Sequence, residues 1–295
     1  MFKNLSPWML GVSGRQSELL ELALTHGFRG LDVEISDLQK RAETQGVQQA
    51  KRFLESAKLQ IGGFELPVCW TGDEAAFAAD LKQLEKTAEF AQAIGARDCF
   101  TNIFPASDQL PYHENFELHR RRLQAIAAML ERHQMRLGLG ILAAGSHRVG
   151  RDFQFIYQPD QLLLLIKTCG AANLGVALDT WDWFVGEGTL DQIRALKAEQ
   201  IVTVRLADLP ADADIATLTD DQRLLPTEAS VDITAVITHL AEINYEGPVT
   251  AYAHPSQNKG MKREAIVQKV SAVLDEQWKL AGLSKTGNLE TAAAS

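Results

Sequence analysis

Residues 173–183, NLGVALDTWDW, read as an apolar strand that runs into an acidic and aromatic mouth. Val176, Ala177 and Leu178 follow one another without polar alternation, the pattern of a strand buried on both faces of a parallel sheet. Polarity changes abruptly at Asp179, and the carboxyl ends of parallel strands are where α/β folds gather their chemistry. Asp179 and Asp182 stand three residues apart among Trp181, Trp183 and Phe184, which suggests a pocket floor beside an aromatic wall. An Asp at that position also has a structural use, as the cap of a helix or the pivot of a turn.

Working outward, similar strand-like segments occur at 7–12 (PWMLGV), 30–35 (GLDVEI, ending at Glu34), 59–68, 98–104 with Asn102 near its end, 136–142 (RLGLGIL), 201–206 and 247–253 (GPVTAYA). Helical pattern follows each of them. Ser17 stands as an N-cap for a helix closed by Gly27, and a second helix is expected at 45–58. Phe77, Leu81, Leu84, Ala88 and Ala91 recur on the 3.6-residue period of one apolar helix face. Further helices are expected at 189–197, after a cap at Asp232, and at 262–280. This alternation predicts a single α/β domain, a (β/α)8 TIM barrel over residues 1–283, with 284–295 as an aperiodic tail. A doubly wound open sheet is the alternative, but no GxGxxG follows a strand.

The 295-residue length suits such a barrel, which typically takes ~250 residues. With a net charge of −9 and a pI near 5.3, the chain lacks the clustered Lys and Arg that grip phosphate backbones, so no nucleic-acid partner is expected. Arg120, Arg121 and Arg122 read as a solvated helix face with at least one Arg folded over the barrel. Cys69, Cys99 and Cys169 are widely spaced in apolar surroundings and read as buried thiols of a reducing compartment. No apolar run approaches the ~18 residues of a membrane span, and the short N-terminal run broken by Pro7 is no signal-peptide core, so the expected location is the cytoplasm.

Four segments, NLGVALDTWDW, IVTVRLADLP, RLLPTEASVD and NYEGPVTAYAHP, fall in the order and approximate spacing of the xylose-isomerase-like barrels, and from Trp8 to about Leu280 the chain resembles that family. The family includes sugar-phosphate isomerases and epimerases and AP-endonuclease-type enzymes. The resemblance implies a divalent Mn²⁺ or Mg²⁺ held by Glu, Asp, His and Glu at four strand ends, with the two Glu moving a proton between adjacent carbons through an enediol-like intermediate. Laid over this chain, the first Glu falls on Gly140, the Asp on Asp179, the His on Arg205 of Arg205-Leu206-Ala207-Asp208, and the last Glu on Tyr252. A His that usually follows the Asp by three residues is replaced by Asp182, and an Arg-x-x-Pro-Gly-Glu-Gly turn is partly kept from Arg223 to Ala229.

A guanidinium cannot ligate a cation, so Arg205 places a fixed positive charge where the resemblance puts the metal, in position to pair with Asp179 or Asp182. The expectation is therefore a carbohydrate- or polyol-binding barrel whose isomerase chemistry is lost or metal-independent, with no cofactor. The alternatives are an active metal-dependent isomerase or epimerase, with Asp179 among its Mn or Mg ligands, and, further off, an AP-endonuclease-like repair protein. Replacement bases are His254, two residues past Tyr252, His147 on the loop after the fifth strand, and Glu34. Expected substrate contacts are Asp179, Asp182, Arg205, Asp208, Arg223, Tyr252, Trp70, Trp183 and Asn102. Members of the family often form dimers or tetramers, so the resemblance also implies a homo-oligomer.

Overall fold

In the computed structural model, which describes residues 1–227 and 230–289, the strand of the opening stretch is Leu174–Asp179, and every residue in it is buried, as its unbroken apolar run predicts. It belongs to a nine-stranded parallel sheet built from β1 (Phe2–Leu5), β2 (Gly30–Leu31), β3 (Gln60–Ile61), β4 (Phe64–Glu65), β5 (Asp98–Ile103), β7 (Arg136–Ile141), β9 (Leu174–Asp179), β10 (Ile201–Leu206) and β11 (Pro248–Ala251). A short antiparallel pair, β6 (Ala106–Ser107) and β8 (Phe153–Gln154), joins two loops outside it. The spatial order is β3-β2-β1-β11-β10-β9-β7-β5-β4. Its two ends, β3 and β4, are consecutive in the chain and separated only by Gly62 and Gly63. Helices α1 (Gln16–Thr25), α2 (Ile35–Gln45), α3 (Val47–Ala57), α4 (Glu74–Ile94), α5 (Tyr112–Glu131), α6 (Pro159–Cys169), α7 (Thr180–Val185), α8 (Leu190–Arg194), α9 (Ile233–Glu242) and α10 (Arg263–Leu280) separate the strands. This is a parallel α/β unit consistent with the expected TIM barrel.

The second half of the chain follows its sequence pattern within a residue or two, except that the helix expected at 189–197 ends at Arg194 and an unexpected short helix, Thr180–Val185, follows Asp179, while the first quarter departs from the pattern more widely. The segment 7–12 is not a strand: Pro7 lacks a donor and opens a single 3-10 turn at Trp8–Leu10, closed by Gly11 at φ 70°. The first strand is instead Phe2–Leu5, hidden in the sequence because Lys3 and Asn4 interrupt its apolar pattern; Lys3 is buried along its stem and pairs with Asp275. Helix α1 starts after Arg15 and not at Ser17. Glu34 is no strand end but the N-cap of α2, and the helix expected at 45–58 breaks at Gly46, φ 88°, into α2 and α3. The third strand is split at Gly62, where a Cβ would stand 2.2 Å from the Asn4 amide oxygen and 2.5 Å from Asp32 Oδ1, so only glycine lets those side chains lie across the strand.

Cys99 and Cys169 are buried, but Cys69 is exposed, contrary to its apolar setting in the sequence. Arg122 is the buried member of the arginine run, donating to the carbonyls of Trp70 and Gly72 and pairing with Glu74. Of the expected tail, Leu283–Leu289 closes on itself through a bridge between those two residues, and 290–295 lie outside the described residues. No helix among the described residues is long and apolar enough to cross a membrane.

Candidate functional site

Register brings the chemistry to one end. On β10, Arg205 is paired with Asp179 of β9 on one side and Thr250 of β11 on the other, so their side chains rise from one row on one face of the sheet. Tyr252 follows Thr250 by two residues and returns to that face. Asp179 ends β9 and caps α7, accepting from Asp182 N at 3.2 Å. Both readings of this residue therefore hold at once: it is a helix cap, and it lies at the strand mouth.

The cation that meets it is Arg223, which corrects the pairing expected for Arg205. Arg223 donates through Nη1 to Asp179 Oδ1 at 3.1 Å, and through Nη2 to Asp182 Oδ2 at 2.7 Å and Asp220 Oδ1 at 3.2 Å. Its guanidinium carbon lies 4.1 Å from the Trp181 ring centroid and 5.5 Å from that of Tyr252. Tyr252 donates to Asp179 Oδ2 at 2.6 Å and itself accepts from Arg223 Nη1. Asp182 Oδ1 accepts from Ala143 N at 2.8 Å, tying the loop after β7 to the cluster.

Arg223 reaches this place because its loop is fastened from below. Asp208 and Leu224 exchange backbone hydrogen bonds of 2.8 and 3.0 Å, and His254 N donates to Arg223 O. The Asp208 carboxylate, wholly buried, accepts from the amides of Leu209, Thr227, Ser230 and Val231. Asp208 thus sits under the turn that resembles the family's Arg-x-x-Pro-Gly-Glu-Gly, of which Glu228 and Ala229 lie outside the described residues.

One guanidinium cannot neutralise two buried carboxylates. Burial, with Asp179 alongside, outweighs the attraction of Arg223 and pushes Asp182 up to about 6. Burial also drives the Tyr252 phenol well above its ordinary value, so it stays protonated as the donor to Asp179. The carboxylates that surround Arg223 hold its guanidinium charged, more than compensating its burial.

Arg205 takes another course. Its guanidinium carbon stacks 4.2 Å from the Phe100 ring centroid instead of pairing with Asp179. Below it, Asn4 Nδ2 links Asp32 Oδ1 at 2.8 Å to Thr250 Oγ1 at 2.9 Å. Burial raises the Asp32 carboxyl to about 6, only partly offset by Asn4 and by the charge of Arg205. Because the folded value lies above the unfolded one, the unfolded chain releases this proton first, and stability falls as pH rises from about 4 to 6. Asp32→Asn is therefore expected to raise the unfolding free energy at pH 7 by on the order of 2 kcal/mol and to have no effect near pH 3.5, measured by urea titration at both.

The remaining sequence candidates are dispersed. His147 Nε2 lies 2.7 Å from Asp220 Oδ2, one residue group away from Arg223. His254 caps the 3-10 turn Pro255–Asn258, its Nδ1 2.9 Å from Ser256 Oγ. Glu34 is exposed, its carboxyl raised by partial burial and by the charges of Asp37 and Glu65. Asn102 pairs in register with Gly140, and a Cβ on Gly140 would stand 2.3 Å from Asn102 Oδ1, so the amide covers the place where a longer side chain would rise. Trp70 and Trp183 are core residues: Trp70 packs edge-on against His119, and Trp183 donates to Thr189 O. Trp181 is fully buried as well, and its ring is the face on which Arg223 stacks.

A divalent ion finds no fit here. Gly140 and Arg205 offer no ligand, Tyr252 is a protonated phenol, and both oxygens of Asp179 are already engaged. Among the described residues, no group of three or more His, Cys, Asp or Glu is placed to hold a metal.

A family model described as xylose isomerase-like TIM barrel matches residues 20–277. The chain belongs to that family. Among solved structures, a xylose isomerase domain protein from Alicyclobacillus acidocaldarius subsp. acidocaldarius superposes with a TM-score of 0.84 at 24% identity, over 95% of this chain and 98% of that one. A D-psicose 3-epimerase matches with a TM-score of 0.72 at 13% identity, over 96% of this chain and 100% of that one. A probable 3-DHS dehydratase from Bacillus anthracis matches with 0.70 at 14%, over 93% and 99%. At these identities the likeness is one of fold. No curated protein matches the chain. A cleft of about 610 Å³ opens elsewhere, at the amino ends of the strands beside Phe2, Asp98, Arg136 and Tyr245. That end of a barrel serves stability, and the strand-mouth cluster is the better candidate.

Proposed function

We propose that this protein is a metal-independent member of the xylose isomerase-like family that binds a small carbohydrate or polyol at the carboxyl ends of its strands, its sheet closing into an eight-stranded barrel through Gly62–Gly63. The observation that carries this reading is the occupation of Asp179: Arg223 and Tyr252 take both its oxygens, so the charge a metal would supply is supplied by a guanidinium. Asp179, Asp182, Arg223 and Tyr252 form the floor, and Arg205 and Asn102 flank it. Any proton transfer falls to groups other than the two Glu of the family, with Asp182 and Asp32, both near 6, better suited than His254 or Glu34.

Two measurements test this. Elemental analysis of the purified protein is expected to find no stoichiometric divalent ion, and EDTA is expected to leave Tm unchanged, because no metal-binding free energy is linked to folding. A drop in Tm with EDTA that Mn²⁺ or Mg²⁺ reverses would establish a metal-dependent isomerase or epimerase instead.

A further inference from the structure

Arg205 is 8% exposed, and no hydrogen bond or ion pair engages its guanidinium among the described residues. Arg223, in the same mouth, is saturated by three carboxylates and a phenol. The contrast is energetic. A guanidinium carries five donors, and withdrawing it from most of its water without a partner is unfavourable, offset only in part by stacking on Phe100. Asp32 feels the charge of Arg205 across the mouth, yet no ion pair joins them. The cation is thus held in place by an aromatic face, close to a carboxyl but apart from it, with its donors unused.

We propose that Arg205 is the anion receptor of the strand mouth, and that the ligand is a sugar acid, a small polyhydroxylated molecule bearing one carboxylate. The guanidinium fork matches a carboxylate through two parallel hydrogen bonds. A single negative charge suits the site better than a phosphate dianion, because Asp32, Asp179 and Asp182 already line the mouth and Arg223 is committed to two of them. Those carboxyl groups and Asn102 provide partners for hydroxyl groups. The inference rests on the carbohydrate reading above and adds to it the charge of the substrate and the residue that reads it.

The test uses the full chain, as wild type and as Arg205→Met and Arg205→Lys, with gluconate, glucuronate and galactonate, their neutral counterparts glucitol, glucose and galactitol, and inorganic phosphate and acetate as probes. Thermal shift and calorimetry are expected to show at least one acid bound in preference to its neutral counterpart. Arg205→Met is expected to weaken that acid roughly 10- to 100-fold, the range for loss of a charge-assisted hydrogen bond, and to leave neutral ligands unaffected. Without ligand, Arg205→Met is expected to melt at or above the wild-type temperature, since it removes an unpaired buried charge while keeping the stack on Phe100. Arg205→Lys is expected to retain the preference for the acid more weakly. A lower ligand-free Tm for Arg205→Met with acid binding unchanged would make Arg205 a packing residue and overturn the proposal. Neutral polyols that bind as tightly as their acids would overturn the anion claim alone and leave the carbohydrate reading intact. Binding of phosphate or acetate without response to any hydroxylated acid would overturn the carbohydrate reading and the substrate class together.

Discussion

Arg223→Met is expected to lower the unfolding free energy at pH 7 by roughly 3–5 kcal/mol, the cost of stranding a buried charge by removing its partner. Here two carboxylates are stranded, since Asp179 and Asp182 are both buried and both bonded to this one side chain. The methionine keeps much of the packing between Trp181 and Tyr252, so the loss reports charge more than volume. The pH dependence gives a second reading of the same event. With the guanidinium gone, the Asp182 carboxyl, already raised to about 6, loses the attraction that lowered it and holds its proton to still higher pH in the folded state, so the deficit grows as pH rises from about 5 to 8 and shrinks below it. Urea denaturation at pH 5 and pH 8 measures both values. An equal deficit at both would assign the effect to packing, and no deficit at either would remove Arg223 from the centre of the cluster. Arg223→Lys is expected to recover only part of the stability, because a point charge cannot bridge two carboxylates and stack on Trp181 at once.

Asp208→Ala acts on the same arginine from a distance. Its carboxylate is the common acceptor for four backbone amides, two of them in the buried residues Leu209 and Val231. Those two lose their partner without gaining water, at about 1–3 kcal/mol each, whereas Thr227 and Ser230 are exposed and can be rehydrated. A loss of roughly 2–6 kcal/mol is expected, concentrated in residues 209–231. Hydrogen exchange should show protection lost across that loop first, and the carbohydrate binding proposed above should fall even at temperatures where the sheet remains folded, since Arg223 is carried by the loop. Asp208→Asn keeps one acceptor oxygen and is expected to fall between. If exchange in the loop is unchanged in Asp208→Ala, the amides do not depend on this carboxylate.

The two substitutions separate what was readable in the chain from what was not. The strands at 174–179 and 201–206, the helix that carries Phe77 to Ala91 and the helix after Asp232 were legible because their signals are local: unbroken apolar runs, a 3.6-residue period, and at Asp232 a cap that accepts from the amide three residues on. The first strand was not, because Lys3 and Asn4 are polar residues placed inside by contacts with Asp275, Asp32 and Thr250, all distant in sequence. Asp179 and Asp182 were recognisable from their place at the end of an apolar strand, whereas Arg205, Arg223 and Tyr252 were singled out through the resemblance to the family's motifs. Which arginine faces which carboxylate was beyond the sequence.

That choice belongs to the tertiary structure. Arg205 is adjacent to Asp179 in strand register, which made it the natural partner on paper. Arg223 stands 44 residues from Asp179, on a loop whose descent into the mouth depends on the amide-bound carboxylate of Asp208. Side-chain direction decided the pairing: the Phe100 face draws Arg205 aside, and the ring of Trp181 lies under Arg223. The same holds for Gly140, whose missing side chain announced an absence but not the Asn102 amide that covers the space. Periodicity, capping and composition are properties of a few neighbouring residues, so the chain alone determined a parallel α/β fold with an acidic strand end at Asp179 and Asp182. The partners of a buried charge are selected by the directions in which distant backbones aim their side chains, and those exist only once the sheet and its loops have assembled.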